Sequence, residues 1–79
     1  MQTKFKRHQK VKLLIPPDIE YIEYSPELNE KDKPPITKGM TGEINILLPN
    51  GQYHVKILDK KGKLIAYVPM DEDSLEAVD

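Results

Sequence analysis

Short runs in which apolar and polar residues alternate are the dominant pattern of this chain. Val11, Leu13 and Ile15 are each separated by one residue, which is the period of a strand with one face in a core. The Pro16-Pro17 pair ends this run, because proline cannot donate a hydrogen bond to a sheet. Similar apolar runs follow, so the pattern predicts five strands, at residues 10–15, 42–48, 52–58, 64–68 and 75–78.

Two turn signals join the central strands. Asn50-Gly51 lies between two apolar runs and predicts a type I′ hairpin, because Asn and Gly best tolerate the positive φ that both central positions require. The Lys60-Lys61-Gly62-Lys63 segment predicts a second, longer turn. Residues 42–68 should therefore form a three-stranded antiparallel meander, and one turn of 3₁₀ helix is expected around 71–74.

The predicted fold is all-β, a small SH3-like five-stranded barrel with a long first loop. Small all-β chains usually close their sheet, which removes exposed edges. The long loop, the two tight hairpins and the one-turn helix before the last strand follow the order of elements in such a barrel. A chain of 79 residues can bury only one small core, so we expect one domain over residues 10–79. Residues 1–9 should form a flexible basic N-terminus with Phe5 as its one anchored residue.

The segment 16–38 is the least regular part of the chain. It contains five prolines and is longer than most connections in compact domains, so it should be either functional or disordered. Its apolar residues leave two interpretations open. In one, Ile19, Tyr21 and Ile22 complete the core by folding over the open end of the barrel.

In the other interpretation, part of this segment, with Tyr24 and Leu28, forms a docking surface. Tyrosine suits such a surface because it offers a large contact area at low entropic cost. The predicted partner-binding residues, which include one position beyond the loop, are Ile19, Tyr21, Ile22, Tyr24, Leu28 and Met40.

Charge is segregated along the chain although the net charge is only −1. Residues 1–15 and 33–63 are basic overall, whereas residues 16–32 and 64–79 are acidic overall. Such segregation can steer a partner of opposite charge at low salt. It serves equally well for pairing between neighbouring strands and loops of one barrel.

The chain contains no cysteine, so it has no thiol nucleophile and no thiolate ligand for zinc or an iron–sulfur cluster. Any redox centre would therefore belong to a partner. The absence of cysteine also fits a reducing compartment. No apolar run approaches the roughly twenty residues that cross a bilayer, and no hydrophobic segment of a signal peptide follows the basic start. We expect a cytoplasmic protein without membrane association.

Residues that could carry chemistry are sparse. His8 and His54 are far apart and lack companion ligands, so His54 is expected to be an exposed strand residue. Asp71-Glu72-Asp73 lacks the spaced donors and the glycine of a calcium loop. Gly39 and Gly42 introduce a strand, whereas phosphate-binding glycines open a helix, so we expect these two glycines to permit a tight start to that strand. We expect no catalytic, cofactor-binding or metal-binding residue.

Five short segments, taken in order, carry a resemblance to a known family. They are Val11-Lys12-Leu13, Tyr24-x-Pro26-Glu27, Gly39-Met40-x-Gly42-Glu43-Ile44, Val55-Lys56-Ile57 and Asp73-x-Leu75. In this order they resemble the variable (alpha) subunit of ferredoxin:thioredoxin reductase, a member of the SH3-like electron-transport accessory proteins. The resemblance covers about residues 10–78, and its most specific part is the segment from Gly39 to Ile44. It implies a subunit without cofactor or catalysis that packs against a catalytic subunit carrying a [4Fe–4S] cluster and a redox disulfide.

Three classes of function compete. The first is a non-catalytic accessory subunit that docks on a larger redox subunit as a heterodimer, through the 19–28 loop and the face around Met40. The second is a nucleic-acid-binding barrel that uses its basic N-terminus and the 60–63 turn. Nucleic-acid binders usually show a clear basic excess, and a net charge of −1 argues against this class. The third is a small enzyme, which only isolated Ser and His residues support.

Overall fold

The computed structural model describes residues 5–78 of the chain. Within that range lie six β-strands: β1 (Lys10–Leu13), β2 (Glu23–Tyr24), β3 (Thr41–Leu47), β4 (Tyr53–Leu58), β5 (Leu64–Met70) and β6 (Leu75–Ala77). The helices of the described residues are three single 3₁₀ turns, at Ile19–Tyr21, Glu30–Asp32 and Glu72–Ser74. The all-β prediction is confirmed. Residues 1–4 of the predicted flexible N-terminus, and residue 79, lie outside the described residues.

All six strands belong to one antiparallel sheet, in the order β2-β5-β4-β3-β1-β6. The sheet has six strands rather than the predicted five, because β2 forms within the first loop. It pairs with β5 through Glu23 opposite Tyr67 and Tyr24 opposite Ala66. A strand of two residues is too short for alternation to reveal it in the sequence. The predicted 3₁₀ turn before the last strand is present.

The first hairpin turn differs from the prediction. A type I′ turn needs positive φ at both Asn50 and Gly51, but only Gly51 has it, at 87°. The Gly51 amide donates to the Leu48 carbonyl (3.0 Å), and the Leu48 amide donates to Gln52 (2.7 Å), so three residues form the loop. Pro49 explains the change, because its fixed φ suits the second position of an ordinary β-turn.

The second hairpin has the same geometry. The Gly62 amide donates to the Asp59 carbonyl (2.9 Å), the Asp59 amide donates to Lys63 (2.9 Å), and Gly62 has a φ of 83°. The Asp59 side chain also accepts the amides of Lys61 and Lys63, both at 2.8 Å. A carboxylate that satisfies the turn's own amides stabilises it locally.

The core lies on one face of the sheet and is joined by residues from the loops. Along β4, buried residues alternate with half-buried ones, as expected for a strand with one face in a core. The fully packed apolar residues are Phe5, Val11, Leu13, Ile36, Ile44, Tyr53, Val55, Ile57, Ile65, Ala66, Val68, Met70 and Leu75.

The glycines before and within β3 have distinct structural roles. Gly39 has a φ of 90°, and its amide donates to the Leu13 carbonyl (2.7 Å), which turns the chain into β3 beside β1. Gly42 lies opposite Ile57, and a Cβ at this position would overlap the Lys56 carbonyl oxygen and lie 3.2 Å from Val55 Cγ1. The prediction that these glycines permit a tight start to the strand agrees with this geometry.

Two irregularities set which residues face outward. The pairing of β3 with β4 shifts by one residue between Ile44 and Ile46, and Asn45 is the extra residue. The pairing of β4 with β5 shifts between Ile57 and Leu58, and Ile65 is the extra residue. The extra residue of a bulge moves the side chains on one side of it to the opposite face of the sheet.

The segment before β1 packs against the sheet from Phe5 onward. Phe5 is only 3 % exposed, as predicted, and its ring meets that of Tyr53 edge-on with centroids 5.4 Å apart. The Tyr53 hydroxyl accepts the Phe5 amide (3.2 Å) and donates to the Glu72 carboxylate (2.9 Å). The His8 amide donates to the Ile44 carbonyl (2.7 Å), which ties the same segment to β3.

Candidate functional site

The first loop is held against the sheet by its own polar and apolar groups. The Ser25 amide donates to the Ile65 carbonyl (2.8 Å), at the residue that bulges from β5. The Tyr24 hydroxyl donates to the Pro34 carbonyl (2.7 Å) and so joins the two halves of the loop. Ile36 is buried in the core. These contacts give the loop a defined shape from which other side chains project.

Of the predicted partner-binding residues, four pack inward at least in part. Ile22, Tyr24, Leu28 and Met40 are half-buried against the core cluster. The inward position of Ile22 agrees with the first interpretation of the loop, in which Ile19, Tyr21 and Ile22 complete the core. Tyr24 and Leu28, which the second interpretation assigned to a docking surface, also pack in part against the core.

Ile19 and Tyr21 project outward. Ile19 is 87 % exposed and Tyr21 is 58 % exposed, both within the first 3₁₀ turn. The interpretation that these two residues complete the core is therefore wrong. The physical reason is that the alternation that leads into β2 directs Ile22 and Tyr24 inward, which leaves Tyr21 and Glu23 outward.

Tyr21 lies at the mouth of a small groove on the outer face of the sheet. The groove has a volume of about 220 Å³ and is lined by Glu20, Tyr21, Glu23, His54, Tyr67 and Pro69. Its floor comes from β4 and β5, where His54 lies opposite Pro69 in the pairing. Its wall comes from the first loop and β2. We call this site the aromatic groove.

A fixed pair of rings forms the floor of the aromatic groove. The rings of His54 and Tyr67 are stacked, with centroids 4.8 Å apart and planes within 8° of parallel. Nδ1 of His54 lies 3.0 Å from the side-chain amide nitrogen, Nδ2, of Asn45, the bulged residue of β3. With the amide as donor, Nδ1 accepts, and the ring proton is carried by Nε2. His54 is half-buried rather than exposed, which corrects the prediction made for it.

The groove carries negative charge at its rim. Glu20 and Glu23 are exposed, and no described residue forms an ion pair with either. Tyr67 pairs with Glu23 on one side and with Lys56 on the other, but Lys56 does not line the groove. Carboxylates beside aromatic rings form a surface suited to a cation.

Elsewhere, ionisable groups serve local structure. The hydrogen bond from the Lys63 amide holds the pKa of Asp59 below its usual value, and the Lys33 ammonium does the same for Glu30 through a side-chain hydrogen bond of 2.8 Å. Within residues 5–78, no group of three or more His, Cys, Asp or Glu could hold a metal ion. None of the helices in that range is long and apolar enough to span a membrane.

Most of the residues that line the groove carry no signal in the sequence. Glu20, Glu23, Tyr67 and Pro69 were not singled out, and His54 was weighed as a metal ligand and predicted to be an exposed strand residue. Alternation along β4 and β5 could have placed His54 with Lys56 on one face of its strand. It could not have placed Tyr67 beside them, because that depends on the bulge at Ile65.

A scan against models of protein families finds no match, and a search of the curated proteins finds none either.

Proposed function

We propose that this chain is a non-catalytic accessory subunit of SH3-like fold that docks on, and supports, a larger redox subunit carrying an iron–sulfur cluster. The proposal starts from the resemblance to the variable subunit of ferredoxin:thioredoxin reductase. The observation that carries it furthest is the pair of exposed apolar side chains, Ile19 and Tyr21, on a loop that is otherwise well anchored. Large apolar and aromatic residues on a scaffolded loop are typical of protein interfaces.

The sheet supports the proposed barrel. The described residues contain no α-helix that could cover the apolar face, yet Val11, Val55 and Ile57 are fully buried. Closure of the sheet into a barrel would bury that face, to which Phe5 and Ile36 from outside the strands also contribute cover. The last strand, β6, pairs with the first, β1.

The partner must supply the redox chemistry under this proposal. The chain has no cysteine, so both the cluster ligands and the redox disulfide belong to the catalytic subunit. The accessory chain contributes contact area and support, as one half of a heterodimer. The cytoplasm, as a reducing compartment, is the location that goes with this role.

Affinity purification of the tagged chain from its native host tests this function. We expect one larger protein to co-purify in equal amount, to contain a Cys-rich cluster motif by mass spectrometry, and to show the broad visible absorption of an iron–sulfur cluster. The double variant Ile19→Ser, Tyr21→Ser should lose the partner and keep its fold. The matched control is Ile46→Ser, Leu47→Ser, which removes two other exposed apolar residues and should retain the partner. Equal loss in both variants, or a partner without a cluster, would contradict the proposal.

Nucleic-acid binding is a second candidate because two basic regions meet in space. Lys10 of β1 and Lys60 of the second hairpin line the same cavity, next to Glu43 and Asp59. Lys4 of the basic N-terminus lies outside the described residues. Phosphate contacts by these lysines would give binding that weakens steeply with salt. A gel shift at about 50 mM salt that disappears in the variant Lys10→Gln, Lys60→Gln would favour this function. No shift at that salt concentration would exclude it.

A further inference from the structure

We propose that the aromatic groove holds one arginine side chain from an extended segment of the partner protein. The inference rests on the proposed function, since it names the chemistry of the partner at the docking loop. Of the residues that line this site, only Tyr21 is among the partner-binding residues predicted from the sequence. The residues that carry it are Glu20, Tyr21, Glu23, His54 and Tyr67.

The size of the aromatic groove indicates one side chain rather than a small molecule. Its volume of about 220 Å³ is below the roughly 300–1,000 Å³ of ordinary small-molecule pockets. It also opens beside β2, which is an edge strand of the sheet. An edge strand with free backbone groups can accept an extended segment alongside it. A peptide that follows this edge would carry one side chain into the groove.

The charge and the rings of the aromatic groove indicate a guanidinium. Glu20 and Glu23 supply negative charge that no described residue neutralises by an ion pair. The rings of His54 and Tyr67 lie face to face, so each ring keeps one outer face on which a planar group can stack, and the Asn45 contact holds the His54 ring in orientation. A planar guanidinium stacks on such a surface and forms paired hydrogen bonds with a carboxylate, which an ammonium cannot do.

The neighbouring side chains fit a peptide rather than a free amino acid. Ile19 is 87 % exposed in the same 3₁₀ turn as Glu20 and Tyr21. An apolar residue next to the arginine in the partner segment would cover the exposed side chain of Ile19. The partner segment is therefore expected to contain arginine adjacent to an apolar residue.

Titration of the full chain with short peptides, followed by amide chemical shifts in NMR, tests the inference. The probe is acetyl-Gly-Ser-Arg-Ile-Ser-Gly-amide, and its control has the neutral isostere citrulline in place of arginine. We expect saturable chemical-shift changes at Tyr21, Glu23, His54 and Tyr67. The citrulline peptide should bind at least about tenfold more weakly than the arginine peptide. N-acetylarginine amide should bind more weakly than the peptide. Equal binding of the citrulline peptide, equal binding of the free arginine amide, or shifts centred on the 60–63 turn would overturn the proposal.

Two charge-matched variants locate the effect. The double variant Glu20→Gln, Glu23→Gln should lose about tenfold in peptide affinity. The control Glu27→Gln, Glu43→Gln makes the same change in net charge outside the aromatic groove and should retain the affinity. Equal losses in both would show a general charge effect and refute the site.

The outcomes separate this inference from the proposed function. If the arginine peptide fails to bind while Ile19→Ser, Tyr21→Ser still abolishes co-purification of the redox partner, the docking function stands and the arginine site falls. If the peptide binds in the aromatic groove but no redox partner co-purifies, the site stands and the redox function falls.

Discussion

Replacement of Gly42 by alanine should strongly destabilise the sheet. Gly42 lies in β3 opposite Ile57, where the two backbones approach closely. An added Cβ would overlap the carbonyl oxygen of Lys56 and lie 3.1 Å from its carbonyl carbon and 3.2 Å from Val55 Cγ1. The obstructing atoms belong mainly to the backbone of β4, so relief requires the two strands to separate.

The size of the effect follows from this obstruction. Overpacking that side chains can relieve costs about 1–3 kcal/mol. Separation of β3 from β4 also weakens hydrogen bonds between them, each with a net contribution of about 1 kcal/mol. We therefore expect Gly42→Ala to lower the free energy of unfolding by about 3 kcal/mol. A chain of this length has about 4–12 kcal/mol in total, so the loss is large.

Urea and thermal unfolding measure the loss, with Gly51→Ala as the matched control. Gly51 has a φ of 87° but nothing within 4 Å of an added Cβ, so alanine there costs only the conformational strain of about 1–2 kcal/mol. For Gly42→Ala the Tm should fall by about 12–24 °C. A fall in Tm no larger than that of Gly51→Ala would refute the argument that strand separation dominates.

Three further measurements test the loop, the N-terminal contact and the second hairpin. Tyr24→Phe should lower the free energy of unfolding in urea by about 1 kcal/mol, because it removes the hydrogen bond to the Pro34 carbonyl. The control Tyr21→Phe, at an exposed position, should change the same free energy by less than about 0.5 kcal/mol. Tyr53→Phe should cost about 1–2 kcal/mol, because its hydroxyl joins the Phe5 amide to the Glu72 carboxylate, and an unchanged urea midpoint would contradict this. The Asp59 carboxyl carbon should titrate by NMR below the unperturbed value of about 3.9, because the folded turn favours the charged form. Its contribution to stability is present above that pH and is lost as the pH falls through the folded pKa, so a midpoint above 3.9 would contradict the Asp59 argument.

The all-β class and the main strands were largely predictable because their signals are local. Alternation in β1 and β4, and the glycines of the two hairpins, depend only on residues close in sequence. The first hairpin still differed in turn type, because Pro49 competes with the Asn50-Gly51 signal and fixes the preceding position. β2 was missed because its two residues form a strand only by pairing with β5.

The candidate site was less predictable because its residues come from three separate segments. Ile19 and Tyr21 were identified as candidates, but the sequence could not separate them from Ile22 and Tyr24, which point inward. That separation depends on where the loop meets the sheet. The hydrogen bond from the Ser25 amide to the Ile65 carbonyl sets this position.

The sequence by itself determined the all-β class, the positions of the main strands, the two hairpins and the absence of thiol chemistry. These follow from side-chain type and short-range spacing. Only the tertiary structure decided which side chains of β5 point toward the core and which point to the outer face of the sheet. Without a bulge, the register set by the pair Leu58 and Leu64 would place Tyr67 opposite Val55, with its side chain toward the core. The bulge at Ile65 shifts the register by one residue, so Tyr67 lies opposite Lys56 and its ring stacks on that of His54. A shift of one residue reverses every later side chain in a strand, and no local pattern encodes that shift.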